Sequence, residues 1–330
     1  MTPTSGLRFG PFGFELIEIF WSLGLYVCVL LSVAYLTLFE RKILAASQGR
    51  KGPEMVGWYG VLQPFADGVK LFSKEYFTPS DSNPVLFFLG PCYMIFHSFV
   101  LWGCSPGVWG CGVYFFWGSL YVLSALSVGV YGVMLCGWAS NSKYALFGAV
   151  RALAQVISYE VMLVMLYLVP FFMCRSLEFG DVMFSQWSGC NGFVLSLVFF
   201  WWVFCVLAET NRAPFDFVEG ESELVSGFNV EFGSGGFGMI FIAEYASVIY
   251  LSQLSSVLLL GGCGVYQWGE FFEFIGNSVS GPMMGLAVVL LIVLCRSSFP
   301  RYRYDLLMGL VWRRVLPILM GGFSCFVVAL

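Results

Sequence analysis

Charge is what this sequence has least of. Its 330 residues include 16 Lys+Arg and 20 Asp+Glu, 11% of the chain, where soluble domains carry about 25%. A soluble chain of this length suggests about two domains, and so few charges do not cover the surface of such a globule. With 59% apolar residues and a mean hydropathy of +0.83, its natural solvent is lipid. A formal net charge of −4 leaves no basic field for nucleic acid, and the high hydrophobicity excludes disorder. Histidine is nearly absent. His97 stands alone, among Met94, Ile95, Phe96 and Phe99; one His cannot make a bis-His haem site, and a polar contact facing the bundle is the simpler reading. None of the 11 Cys forms a C-x-x-C pair, so they read as small buried hydrophobes rather than zinc or iron–sulfur ligands. Residues 1–11 lack a basic start followed by a short apolar core, so no cleavable signal is expected.

Long apolar runs are what the chain has instead. A helix needs about 20 apolar residues to cross about 30 Å of hydrocarbon. Eight stretches qualify or nearly qualify, near 12–39, 85–104, 113–138, 145–173, 193–208, 236–262, 281–295 and 306–330. The fifth and seventh are short and are expected to extend into their flanks. The runs are continuous rather than alternating, which disfavours a β-barrel. The expected architecture is an all-α polytopic membrane protein, one transmembrane domain over residues 1–330. Loops after the odd spans hold 11 Lys/Arg, against Arg8 and Arg175 on the other side. This places the odd loops on the inner side and both termini outside. In the first inner loop, 40–84, Val61, Leu62, Phe65, Val69 and Phe72 share an arc at the helical period, opposite Gln63, Asp67, Lys70 and Lys74. That pattern predicts an amphipathic helix in the inner interface, against lipid or under a soluble partner.

Ionisable side chains inside spans are costly and are functional candidates by default. Glu15 and Glu18 lie close to the outer end of the first span and can reach water. Arg313 and Arg314 lie about two turns into the eighth and can snorkel inward. Arg151 and Glu160, in the fourth span, are harder to dismiss. Nine residues separate them, about 13.5 Å along a helix and roughly half a turn around it, so they cannot pair directly. Glu244 in the sixth span is a second buried carboxylate, and Glu209 closes the fifth at the inner surface. Carboxylates at several depths suit a proton relay, because burial and mutual repulsion bring such groups toward neutral titration; structural ion pairs are the alternative.

The loop after the fifth span, 209–235, is the densest feature. From Glu209 to Glu231 it holds six acids and one base, Arg212, interleaved with Phe215, Phe217, Val218, Leu224 and Phe228. The acids are not spaced as an EF-hand. Acids among aromatics suit a folded loop against a partner, or one lining a cavity that admits a lipid-like ligand and protons. Gly233-Ser-Gly235-Gly-Phe-Gly238 matches G-x-G-x-x-G, but the dinucleotide reading needs a preceding strand; here an acidic loop precedes and a span follows, so the glycines read as a flexible start to the sixth span.

Several longer words are more specific. Glu40-Arg-Lys-Ile-Leu44, Gln48-Gly-Arg-Lys-Gly-Pro53, Tyr59-Gly-Val-Leu-Gln-Pro-Phe-Ala-Asp67 and Lys70-Leu-Phe-Ser-Lys-Glu75 come first. Gly137-Trp-Ala-Ser-Asn-Ser-Lys-Tyr-Ala-Leu146 and Arg151-Ala-Leu-Ala-Gln-Val-Ile-Ser-Tyr-Glu160 follow. Then come Leu207-Ala-Glu-Thr-Asn-Arg-Ala-Pro-Phe-Asp216, Glu219-Gly-Glu-Ser-Glu-Leu-Val-Ser-Gly-Phe-Asn229, Ala243-Glu244-Tyr245 and Phe299-Pro-Arg-Tyr-Arg-Tyr-Asp305. In this order they resemble the subunit 1 family of proton-pumping NADH:ubiquinone oxidoreductase, respiratory complex I. The 10–39 and 76–138 stretches match in hydropathy only, and Glu54 and Trp58 depart from the family's usual residues.

The resemblance implies a core membrane subunit of that enzyme, which joins the membrane arm to the hydrophilic arm. Its inner loops, 40–84 and 209–235, would wall a chamber where ubiquinone, the substrate, enters from the bilayer. Arg41, Arg50, Phe65, Asp67, Arg212, Asp216, Phe228, Arg296, Arg301 and Arg303 would line the chamber, its entrance or its subunit contacts. Glu160, Glu209, Glu219, Glu221, Glu223 and Glu244 would begin the acidic proton-coupling track, with Arg151 as an intramembrane base. No metal or redox cofactor is expected on this chain; NADH, FMN and iron–sulfur clusters would belong to partner subunits. A membrane subunit of a hydrogenase-type complex, or a stand-alone transporter, are the rival readings. The bias to Phe, Gly, Val, Cys and Trp, with T- and G-rich codons, suggests an organellar gene and the mitochondrial inner membrane, with a bacterial plasma membrane as the alternative.

Overall fold

The computed structural model describes residues 11–103, 117–186, 189–217, 225–262 and 270–329; side chains of 11–22, 270–279 and 329 are not described. Among the described residues every regular element is helical. Helix α1 spans Pro11–Ser47, a 3₁₀ turn covers Trp58–Gly60, and α2 spans Gln63–Ser73. Then follow α3 (Pro84–Gly103), α4 (Gly118–Ala139), α5 (Lys143–Cys174) and α6 (Phe179–Ser185). Next are α7 (Asn191–Val194) and α8 (Ser196–Glu209), then a 3₁₀ turn over Gly227–Asn229 and α9 (Ser234–Leu259). Helix α10 spans Glu270–Ser298. The last helix runs as α11 (Tyr304–Leu310), a π turn over Val311–Val315 and α12 (Leu316–Ala329).

Seven described helices are long and apolar enough to cross a membrane. The protein is thus an all-helical polytopic membrane protein. The fifth expected span, at 193–208, is kinked. Leu195 leaves helical geometry between α7 and α8, and α8 has 14 residues, about 21 Å at the helical rise. The seventh starts eleven residues earlier than position 281, at Glu270.

The first helix corrects the sequence reading most. Hydropathy ends it at 39, before Glu40-Arg41-Lys42. Its hydrogen bonding continues to Ser47 and stops at Gly49, whose φ is +69°. Arg50 N–H then donates to Ala45 O at 2.9 Å, the six-residue closure of a Schellman cap. Charges end an apolar run without ending a helix, so Glu40 and Arg41 stand on a rigid element rather than in the first inner loop.

Burial against lipid supplies no hydrophobic drive between helices, so close packing and interhelical hydrogen bonds hold the bundle. Helices α3 and α4 meet where the His97 ring lies over Gly129; a Cβ there would sit 2.6 Å from the ring. His97 Nε2 bonds Ala125 O, the bundle-facing contact expected of it. Gly148 of α5 lets the Gly227–Phe228 backbone approach; a Cβ would lie 2.9 Å from Gly227 Cα. Buried side chains also donate to backbone carbonyls of other helices: Trp102 Nε1 to Ala246 O at 3.3 Å, Tyr167 Oη to Ser119 O at 3.3 Å, and Gln186 Nε2 to Val257 O at 2.8 Å. Such bonds contribute about 0.6–2 kcal/mol each in membranes. The main core gathers Tyr159, Tyr167, Trp202 and Tyr250, and a smaller one gathers Phe87, Cys136, Phe228 and Ile240. Of the described cysteines only Cys136 and Cys205 are fully buried; Cys28 and Cys325 are exposed on the bundle's outer surface, where lipid serves a thiol as well as a core does.

Candidate functional site

The charged residues that the motifs singled out gather at one end of the bundle. Helix α1 brings Glu40, α10 brings Arg296 from its last turn, α9 brings Tyr245, and the connection after α8 brings Arg212. Glu40 is 5% exposed. It contacts Arg296 Nη1 directly, lies 3.6 Å from Arg212 Nη1, and accepts a hydrogen bond from Tyr245 Oη at 2.7 Å. The Arg212 guanidinium also lies over the Tyr245 ring, 4.3 Å from its centroid, a cation–π contact. One carboxylate thus sits between two guanidiniums, beside a cavity of about 10 Å³ that Leu36 and Val248 help to line.

A second concavity, of about 380 Å³, lies between α2 and the start of α9. Arg41, Asp67, Lys70 and Lys74 provide its polar wall, and Leu71, Phe232 and Phe237 its apolar one. Asp67 is fixed by Arg41 at 2.7 Å and by Gln63 at 3.0 Å. Lys42 Nζ donates to Tyr59 O at 2.6 Å, and Ser234 Oγ to Lys74 O at 2.9 Å, so both ends of α2 are tied to membrane-spanning helices. Helix α2 has no buried residue, and Phe65, Val69 and Phe72 are exposed, the apolar face that the periodicity predicts, with Phe65 edge-on to Tyr35 of α1. Tyr76, just beyond α2, has its phenol pushed above its usual value by burial and by nearby Cys92.

Further carboxylates stand on α5, α8 and α9. Glu209, the last residue of α8, has a buried Oε2 with no hydrogen-bond partner among the described residues. Glu160 of α5 is close enough for the two charges to repel. Three residues after Glu209 comes Arg212. The connection between them is held by Gln155, whose amide donates to Ala208 O and Phe215 O, both at 3.0 Å. Glu244 of α9 is half-buried and acts electrostatically on Cys136 of α4.

Other expected site residues are placed differently. Arg301 lies 5.5 Å from the Phe217 ring, and Tyr302 N–H donates to Pro214 O at 3.2 Å; these tie the 299–303 segment to the loop that carries half-buried Asp216. Arg303 is exposed and pairs with Asp305 at 3.3 Å. Arg50 is exposed and bonds Gln48 at 2.8 Å. Phe228 is fully buried in the smaller core, packing rather than lining either concavity. Arg151 is half-buried in α5. Glu219, Glu221 and Glu223 lie outside the described residues. Gly233 caps α9, which begins at Ser234, so the glycine run opens a membrane span.

Comparison with known sequences gives this geometry a family. The NADH dehydrogenase family matches residues 20–327. The chain belongs to it. A scallop protein, "NADH-ubiquinone oxidoreductase chain 1" of Pecten maximus, is 74% identical over 308 residues, covering 93% of this chain and 87% of its own. Proteins of the same name from Anopheles gambiae and Paracentrotus lividus are each 45% identical, the first covering 93% of both chains and the second 91% of both. Within this family membership, the sequence reading passed over Glu40, Tyr245 and Gln155. Glu40 and Tyr245 stand inside motifs already quoted, and what hid their importance is that their partners are over two hundred positions away in sequence. Gln155 carries no charge and sits in an apolar run, so composition has no signal for it.

Proposed function

We propose that the chain is a core membrane subunit of proton-pumping NADH:ubiquinone oxidoreductase, in the mitochondrial inner membrane, with its odd loops toward the matrix. The full-length identity of 74% to a protein of that name carries the reading. In it, the concavity between α2 and α9 is the quinone entrance, and the Glu40–Arg212–Arg296–Tyr245 cluster is a polar waypoint of the chamber. Partner subunits hold NADH, FMN and the iron–sulfur clusters. This chain positions ubiquinone and responds to its charge.

The response follows from connectivity. Arg212 touches the cluster and Glu209 is three residues away, on a segment clasped by Gln155. A charge change near Arg212 therefore acts on Glu209, whose Oε2 is buried, and through it on half-buried Glu160; interactions in a poorly screened setting are several-fold stronger than in water. Glu209, Glu160 and Glu244 then shift their proton occupancy and begin the coupling track, continued by Glu219, Glu221 and Glu223. Copurification with NADH-oxidising, iron–sulfur-bearing subunits and inhibitor-sensitive quinone reduction is the expected result for the subunit; purification as a single active transporter would refute it. Glu160→Gln is expected to leave quinone reduction largely intact while lowering proton pumping. Undiminished pumping in an assembled Glu160→Gln enzyme removes that residue from the track.

A further inference from the structure

The last helix carries two arginines that the site above does not use. Arg313 and Arg314 fall in the π turn Val311–Val315. Val311 and Val315 are buried, whereas Trp312, Arg313 and Arg314 are all exposed. The widened turn thus presents three consecutive side chains outward between two inward anchors. Single π turns inside α-helices recur at functional sites. Here the turn interrupts a span, Tyr304–Val328, that is the least buried of the seven, with Leu306, Ile318 and Met320 exposed along it.

Neither arginine forms an ion pair among the described residues. No acid occurs from Leu306 to Leu330. The acid of the helix packed alongside, Glu160 of α5, pairs with neither arginine among the described residues. Arg313 is nine residues from the start of α11, about 13.5 Å along the axis. Arginines at that depth on a lipid-facing surface extend toward the nearer headgroups. A planar guanidinium there matches phosphate oxygens in bidentate fashion, and an exposed tryptophan suits the same interfacial level.

We propose that Trp312, Arg313 and Arg314 form a binding site for the phosphate of an anionic phospholipid of the inner leaflet, whose acyl chains lie along the exposed face of α12. The occupant is a lipid because the exposed surface from Leu306 to Val328 is apolar apart from Ser324, and its only charged groups are the two arginines. An acidic segment of a neighbouring subunit would meet the charge equally but not the apolar face.

The test uses the intact, detergent-purified complex. Tightly bound phospholipid is measured by mass spectrometry after exhaustive delipidation. The Arg313→Gln/Arg314→Gln enzyme is expected to retain one anionic phospholipid fewer per complex than wild type. The Arg313→Lys/Arg314→Lys enzyme is expected to regain it at weaker occupancy. Unchanged retention in the glutamine variant overturns the proposal. If that variant fails to assemble, wild-type complex in phosphatidylcholine vesicles is labelled with a photoreactive phosphatidylglycerol or a photoreactive phosphatidylcholine. Several-fold greater labelling of the 311–320 peptide by the anionic probe supports the site. Equal labelling, or protection by a crosslinked carboxylate of another subunit, overturns it.

Discussion

Replacing Glu40 with alanine is the sharpest test of the cluster that it forms with Arg212, Arg296 and Tyr245. The change removes the carboxylate and leaves Arg212 and Arg296 facing each other, with side-chain exposures of 11% and 31%. It also removes the acceptor for Tyr245 Oη. Breaking a buried ion pair by deleting one partner costs about 3–5 kcal/mol. Arg296 is nearly one third exposed and partly screened, so the lower end, about 3 kcal/mol, applies here. If that cost falls on the native state alone, thermal disassembly accelerates roughly 100-fold. The assay is the rate at which assembled complex disappears from native gels during incubation at a fixed elevated temperature. The physical claim is specific: the damage comes from stranded cations, not from a cavity. Glu40→Ala combined with Arg296→Met should therefore disassemble more slowly than Glu40→Ala alone. Additivity of the two changes within about 0.5 kcal/mol, or no acceleration in Glu40→Ala, refutes the reasoning.

Three further outcomes follow from the packing. Gly148→Ala would place a Cβ 2.9–3.0 Å from the Gly227 and Phe228 backbone, which cannot yield as a side-chain tip can; a large fall in assembled complex is expected, and normal levels on native gels would contradict it. Gln155→Leu orphans two buried carbonyls that its amide now satisfies, at about 1–3 kcal/mol each, and should increase protease cleavage between 209 and 217 in the detergent-solubilised complex; unchanged cleavage would show that the clasp is not needed. A lipid-soluble photoprobe should label the Phe65, Val69 and Phe72 face of α2 in native membranes, because those side chains are exposed among the described residues; labelling confined to the α3–α5 surface would place α2 under a partner instead.

How much of this was legible beforehand depended on the range of the interaction. Helices and the amphipathic face of α2 are set by residues within a few positions of each other, and periodicity recovers them. Helix ends were read less well, and α1 shows why. Hydropathy registers where lipid stops, at Glu40, while the helix stops where Gly49 adopts a positive φ. The eight residues from 39 to Ser47 turned Glu40 and Arg41 from loop charges into groups aimed by a rigid rod. The charge census found Arg212, Arg296 and Glu209 because any charge is conspicuous in this chain. It did not find that Glu40 joins the two arginines, since 172 and 256 positions separate them in sequence.

Exposure carries a different meaning on this molecule than on a soluble one, and the arginines show it. In water, an exposed arginine without a partner is satisfied by solvent. Arg41, beside Asp67, and Arg303, beside Asp305, are exposed and paired, at the ends of helices where water can complete their shells. Among the described residues Arg313 and Arg314 are exposed and without an ion pair within a span, where the surrounding medium offers no hydrogen bonds except at the headgroups. The same fractional exposure is therefore nearly neutral at one depth and costly at another. Depth along the helix axis, read with the charge, decides which exposed residues on this chain require a partner.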